Sequence, residues 1–149
     1  MTSQGAERSR RPIVWRLSLA SPPGRVFEYV DTDAGRERFW ATRSRRDDSS
    51  FELQFPNGYR TRVDVLERIH PSRLVIQYLD SRSTFDLTPH PRGGCLFQVT
   101  CECDEPDSWM EFYPGWVSWL LVLKAAVDFG VDLRNGSPDR TWDQRFVDQ

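Results

Sequence analysis

Cysteine is scarce and odd in number: three in 149 residues, without the spacing of a disulfide framework. That gives no case for a stapled secreted scaffold and sets a reducing cytoplasm as the expected location. Long apolar runs are missing too. The greasiest stretch, Trp116 to Leu123, stops at Lys124, far short of the roughly 20 residues that cross a bilayer. Residues 1–12 lack the apolar core of a secretory leader. Neither sign of charge dominates, with 20 Lys and Arg against 22 Asp and Glu. The net charge of −2 makes no phosphate-binding surface, so nucleic acid is not an expected partner. Arg8, Arg10 and Arg11 fall together in the leading segment, where a few basic residues are simply solvated. Histidine is rarer still. His70 and His90 each precede a proline in a turn, which suits a turn residue better than a positioned general base. No phosphate-cradling loop occurs, because Gly93-Gly94 reads as a hairpin.

What is present is globular: 38% hydrophobic and 28% charged residues, in a length that suits one domain with a sizeable core. Aromatics reach 13%, enough either to build a large core or to line a pocket. Residues 1–11 read as a disordered tail, 12–136 as the domain and 137–149 as a docked extension. Ile13, Trp15, Leu17 and Leu19 alternate with polar residues as in a half-buried strand. Ser21-Pro22-Pro23 then reads as a helix cap followed by proline, and Asp31-Thr32-Asp33 restarts a second short helix ending at Phe39-Trp40.

From Thr42 to Cys103 the period is two, broken by turn signals at Asn57-Gly58, His70 to Arg73, Asp80-Ser81 and Arg92 to Gly94. Short loops between successive strands predict an antiparallel meander. Cys95, Cys101 and Cys103 fall in phase with Phe97 and Val99, so they read as small core residues; a metal site would draw ligands from separate segments. Glu67 falls in phase with Thr61, Val63 and Val65, as an inward carboxylate or a strand end near solvent. A long helix is expected from Tyr113 or Pro114 to Asn135-Gly136, with Trp116, Trp119, Leu123, Ala126 and Gly130 on its apolar face. Gly130 is expected there to allow close approach to the sheet. Lys124, Asp128 and Asp132 lie opposite. Val117 and Leu121 also sit on the polar side, as a wholly buried stretch or a contact surface. Trp142 and Phe146 are spaced i, i+4 behind Asp139, as one face of a helical turn.

The order of strand, two short helices, meander and long terminal helix resembles the START-like, or SRPBCC, superfamily. The segments Ser21-Pro22-Pro23-Gly24-Arg25-Val26-Phe27-Glu28, Arg38-Phe39-Trp40 and Gly115-Trp116 through Leu120 to Leu123-Lys124 are similar to its branch related to the C-terminal domain of the activator of heat-shock protein 90 ATPase. The likeness runs from Ile13 to Asn135. It implies an α+β helix-grip fold of the START-like/Bet v-like kind: a curved antiparallel sheet of about six or seven strands wrapped around one long C-terminal helix. It also implies a cavity between sheet and helix that holds an apolar small molecule in many members. The expected lining is Trp40, Tyr59, Thr61, Val63, Glu67, Phe85, Phe97, Trp109, Phe112, Trp116, Trp119 and Leu120, with a filled core as the alternative. Binding of a hydrophobic small molecule or lipid is the first functional reading. A protein-interaction domain of the chaperone-cofactor kind is the second, and a cyclase- or dehydratase-type enzyme the third. No catalytic residue, metal or cofactor is assigned, so binding is placed ahead of catalysis. A second copy or protein partner would dock through Val117, Leu121, Trp142 and Phe146.

Overall fold

The computed structural model describes residues 11–103 and 105–149; except for Arg11, the expected N-terminal tail lies outside them. Strand β1 (Ile13–Leu19) leads into helices α1 (Pro23–Asp31) and α2 (Asp33–Glu37). Six strands follow: β2 (Arg43–Asp47), β3 (Ser50–Gln54), β4 (Arg60–Ile69), β5 (Arg73–Tyr78), β6 (Ser81–Pro89) and β7 (Cys95–Cys103). The long helix α3 (Pro106–Phe129) comes next, then a single 3-10 turn at Trp142–Gln144. Every strand pairs antiparallel, in the order β1-β7-β6-β5-β4-β3-β2. The result is a helix-grip fold of the α+β class, a curved, open seven-stranded sheet with a long C-terminal helix.

Alternation builds the core. On β7, Cys95, Phe97, Val99, Cys101 and Cys103 are buried; on β6, Ser81, Ser83, Phe85 and Leu87 are. Their register sets Phe85 opposite Val99 and Leu87 opposite Phe97, so large side chains meet on one face. Each such side chain removed from water stabilises the fold by about 1.5–3 kcal/mol. Burial pushes the Cys95 thiol up to about 11, which keeps it protonated. At the hairpin before β7, Gly94 has φ +85°, and a Cβ there would lie 2.1 Å from the Leu19 carbonyl oxygen. Only glycine lets that turn close against β1.

Both edges of the open sheet are closed by helices. Along β2, the outward N–H groups of Ser44 and Arg46 donate to Glu37 Oε2 and Asp33 Oδ2 of α2, each at 3.1 Å. The same Asp33 takes Arg36, which is 1% exposed and also donates to Ser44 Oγ and the Val30 carbonyl. Arg36 lies 3.8 Å from the Phe51 ring centroid. At the other edge, Lys124 of α3 donates to the Ser18 carbonyl, and Asp128 accepts from the main-chain N–H groups of Ala20 and Ser21. A strand added at either edge would have to displace these contacts.

Several local expectations are corrected. Helix α3 starts seven residues earlier than Tyr113 and ends at Phe129, with Pro114 inside it. Ser108, in its first turn, donates its hydroxyl to Asp80. Gly130 is its left-handed stop, φ +65°, with nothing within 4 Å of where a Cβ would stand, so it makes no close approach to the sheet. The chain beyond leaves the helix, and Arg134 pins it to the carbonyls of Ala41 and Glu37. Ser21 is not the cap of α1, where Pro22 sits; its hydroxyl donates to Asp128 and the Val127 carbonyl instead. On β4 the register slips between Val65 and Glu67, a bulge that breaks the period of two. Glu67 is therefore exposed and pairs with Arg73 at 3.3 Å rather than pointing inward with Val63. In the extension, Thr141 rather than Asp139 caps the turn that carries Trp142.

An apolar groove beside the long helix

Between sheet and helix the space is filled with rings. Phe85 stacks on Trp119 at 5.0 Å, and Trp119 meets Trp40 and Trp116 edge-on at 5.3 and 5.1 Å. These are the offset and T-shaped arrangements that aromatic quadrupoles favour. Phe85, Phe97 and Val63 are wholly buried in this packing, and Leu120 nearly so. None of the four lines an open space.

The open space lies along the first half of α3. A groove of about 610 Å³ is bounded by α3, by Phe39 and Trp40 after α2, by the β3–β4 hairpin at Phe55 and Tyr59, by the β5–β6 turn, and by the C-terminal segment. Five of the expected lining residues meet here: Trp40, Tyr59, Phe112, Trp116 and Trp119. Seven do not. Besides the four core residues, Thr61 and Glu67 lie on β4 away from the groove, and Trp109 stacks on Tyr113 while donating to the Arg11 carbonyl.

The groove also takes residues that periodicity did not single out. Tyr78 ends β5, and burial pushes its phenol up to about 12. Phe39 and Phe55 complete the aromatic wall. Trp142 and Phe146, expected to face a partner or the domain's own surface, form the outer wall with Val147. Asn57 of the hairpin holds that wall by donating to Asp143 Oδ1 at 3.2 Å. Asn135, which donates to Asp148, ties the segment's two ends together, and Thr141 between them is fully buried.

Two features of the wall stand out physically. First, Gly115 lies within α3, lines the groove, and has nothing within 4 Å of where its Cβ would stand. A glycine inside a helix costs about 1 kcal/mol relative to alanine, and no packing contact of this chain requires it. Second, the indole nitrogens of Trp116 and Trp119 are buried without a hydrogen-bond partner, and that of Trp40 has only the Tyr78 hydroxyl, outside good geometry, whereas those of Trp15 and Trp109 donate to main-chain carbonyls. An unmade hydrogen bond on a buried donor costs about 1–3 kcal/mol.

A second hollow, about 580 Å³, is lined by Glu37, Arg43, Ser44, Arg45, Glu52, Gln54 and Arg60. Its mixed charges flank the edge closure described above. Among the described residues, no group of three or more His, Cys, Asp or Glu side chains is arranged to hold a metal. Nor is any helix long and apolar enough to cross a membrane.

Comparison with solved structures places the fold. The chain is similar to protein SSP2350 from Staphylococcus saprophyticus, with a TM-score of 0.71 at 16% identity, over 80% of this chain and 93% of that one. It is equally similar to the Aha1 dimer from Colwellia psychrerythraea, at 0.71 and 19% identity, over 80% and 97%. DynU16, from the dynemicin biosynthetic locus, gives 0.67 at 16% identity over 85% of this chain and 55% of that one. No protein-family model and no curated protein matches the chain.

Proposed function

We propose that the protein is a binding module for a hydrophobic small molecule, taken up in the groove between α3 and the C-terminal segment. The observation that carries this reading is Gly115. The chain keeps a destabilising residue inside a helix where its own packing leaves open space, beside a groove walled by aromatic rings. Backbone bared in this way lets a ligand lie against the helix. The volume of about 610 Å³ is within the range of small-molecule sites. The solved structures of the same fold include a protein of a biosynthetic locus, which fits a small-molecule role without naming a ligand. No group in the groove is arranged as a nucleophile with its base, so binding is favoured over catalysis. The test is titration with Nile red, an uncharged dye that brightens in apolar surroundings. Saturable binding of one dye per chain, lost in Gly115→Phe, is expected. Equal binding by that variant would remove the groove as the site.

A second reading, a protein-interaction domain, is supported by a separate observation. Met110, Tyr113, Val117 and Leu121 recur at helical spacing on α3 and are all exposed, Met110 by 70% and Leu121 by 52%. A second copy is the simplest occupant, and a solved structure of this fold is a dimer. Light scattering at micromolar concentration tests it: a dimer that Leu121→Glu converts to monomer supports the reading, and a monomeric wild type sinks it.

A further inference from the structure

We infer that residues 135–149 form a flap that swings onto a molecule bound in the groove, with Trp142 and Phe146 closing over its outer side. The inference rests on the proposed binding function and adds how the site is shut.

Three observations carry it. First, the segment bonds almost wholly to itself. The Asn135 N–H donates to the Asp148 carbonyl, and its side-chain amide donates to Asp148 Oδ1 and the Arg140 carbonyl, which draws the segment into a closed loop. Inside the loop, the Thr141 carbonyl accepts from the N–H groups of Gln144 and Phe146, and the Trp142 N–H donates to Gln149 Oε1. Among the described residues, the single hydrogen bond from this loop to the chain before it runs from Asn57 Nδ2 to exposed Asp143 Oδ1, at 3.2 Å. A unit with many internal bonds and one external tie opens locally at little cost. Second, the pivot is defined. Arg134, just before the loop, is fixed by the carbonyls of Ala41 and Glu37 at 3.0 and 2.8 Å, so motion does not run back into α3. The chain then turns at Gly136, φ +68°, with nothing within 4 Å of where its Cβ would stand.

Third, the loop's rings have room to close. On the inner wall the rings are already paired, Phe39 with Trp40, Phe55 with Tyr59 and Phe112 with Trp116. Trp142 and Phe146 border the same space from outside, yet stay 50% and 40% exposed. A hydrophobic molecule in the groove gives both rings an apolar surface to settle on, and burying them drives the closure. Asn57 acts as the latch. Its Oδ1 accepts from the Tyr59 N–H, which orients the amide so that Nδ2 reaches Asp143. Asn57 is not among the residues that line the groove, so it acts by positioning the flap rather than by touching the ligand. A rigid wall is the competing account.

The experiment measures the flap directly in the full-length protein. Spin labels are placed on Arg82→Cys, exposed on β6, and Arg140→Cys, exposed in the loop; the three native cysteines are buried. Pulsed electron paramagnetic resonance then gives the distance between the labels with and without Nile red. The dye is expected to shorten and narrow the distribution. Asn57→Asp keeps the oxygen that holds Tyr59 but sets a carboxylate against Asp143. It should broaden the distribution of the free protein and release Nile red roughly fivefold faster in stopped flow, about one hydrogen bond's worth. Salt should reduce that difference by screening the two carboxylates. If the dye binds and the distribution is the same with and without it, the wall is rigid and the flap is overturned, while the groove stands. Release from Asn57→Asp at the wild-type rate overturns the latch. Failure of Nile red to bind the wild type overturns the binding function, and the flap with it.

Discussion

Replacing Gly115 by alanine should make the protein more stable and a poorer binder. Inside a helix, alanine is favoured over glycine by about 1 kcal/mol, because glycine loses more backbone freedom on folding. That gain is realised only if the new methyl meets nothing, and no atom lies within 4 Å of its position. The backbone there is ordinary helix, without the positive φ of Gly130, so no strain offsets the gain. For a domain near 150 residues, about 1 kcal/mol raises the melting temperature by roughly 2–4 °C. Thermal unfolding followed by circular dichroism measures this in the absence of ligand. Dye titration of the same sample reads the other half: affinity should fall with side-chain size from glycine through alanine to phenylalanine. A variant that melts lower than wild type would mean that some part of the chain fills the space. One that melts higher yet binds Nile red unchanged would mean that the glycine is unrelated to the ligand. Either result refutes the reasoning.

Gly130→Ala should cost about 1 kcal/mol from its left-handed backbone, and Gly130→Asn less, as chemical denaturation would record. Equal melting of all three would show that the stop at this position is not conformational. Asp33→Asn should destabilise by about 1–3 kcal/mol, since it weakens the pairing of a buried guanidinium. Burial on its own would raise the Asp33 carboxyl, but bonds from Ser44, the Arg46 N–H and Arg36 hold it below the ordinary range. A depressed carboxyl contributes stability that is complete above its unfolded value near 4 and lost as pH falls through the folded one. Wild type and variant should therefore converge in stability below about pH 4, and parallel curves would remove the ion pair as the cause. Truncation after Gly136 deletes Trp142, Phe146 and Val147 from the groove wall and should weaken dye binding several-fold while lowering the melting temperature; unchanged values for both would reduce the segment to a tail.

How far the fold was legible follows from which signals are local. Alternation on β6 and β7, Asn57-Gly58 and the order of elements all act within a few residues, and the sheet followed from them. What depended on distant partners did not follow. Ser21 has the residue type and place of a cap, yet Asp128, more than a hundred positions away, competes for its hydroxyl and wins. The bulge at Val65/Glu67 inverts the end of β4 without any glycine to announce it. Helix α3 continues back through Pro114 because its first turns carry Trp109 and Phe112, whose packing against the core outweighs one lost main-chain bond.

The site was half legible for a related reason. Composition said that aromatics were abundant, and wheel positions said which faced inward. Both are silent on whether rings close on each other or leave room. Phe85 and Phe97 fill the sheet's face completely, so the space moves outward to where α3 meets the C-terminal segment. In the sequence Gly115 stands in a Gly-Trp motif, and helical periodicity alone does not distinguish its role from that of Gly130. The two differ by one measurable property. Gly130 ends its helix at φ +65°, where a side chain is strained, and this alone accounts for it. Gly115 is interior, unstrained and unopposed, so nothing within the folded chain accounts for it. A residue that costs stability and serves no internal contact is what the proposed binding of a ligand against the helix requires at this position.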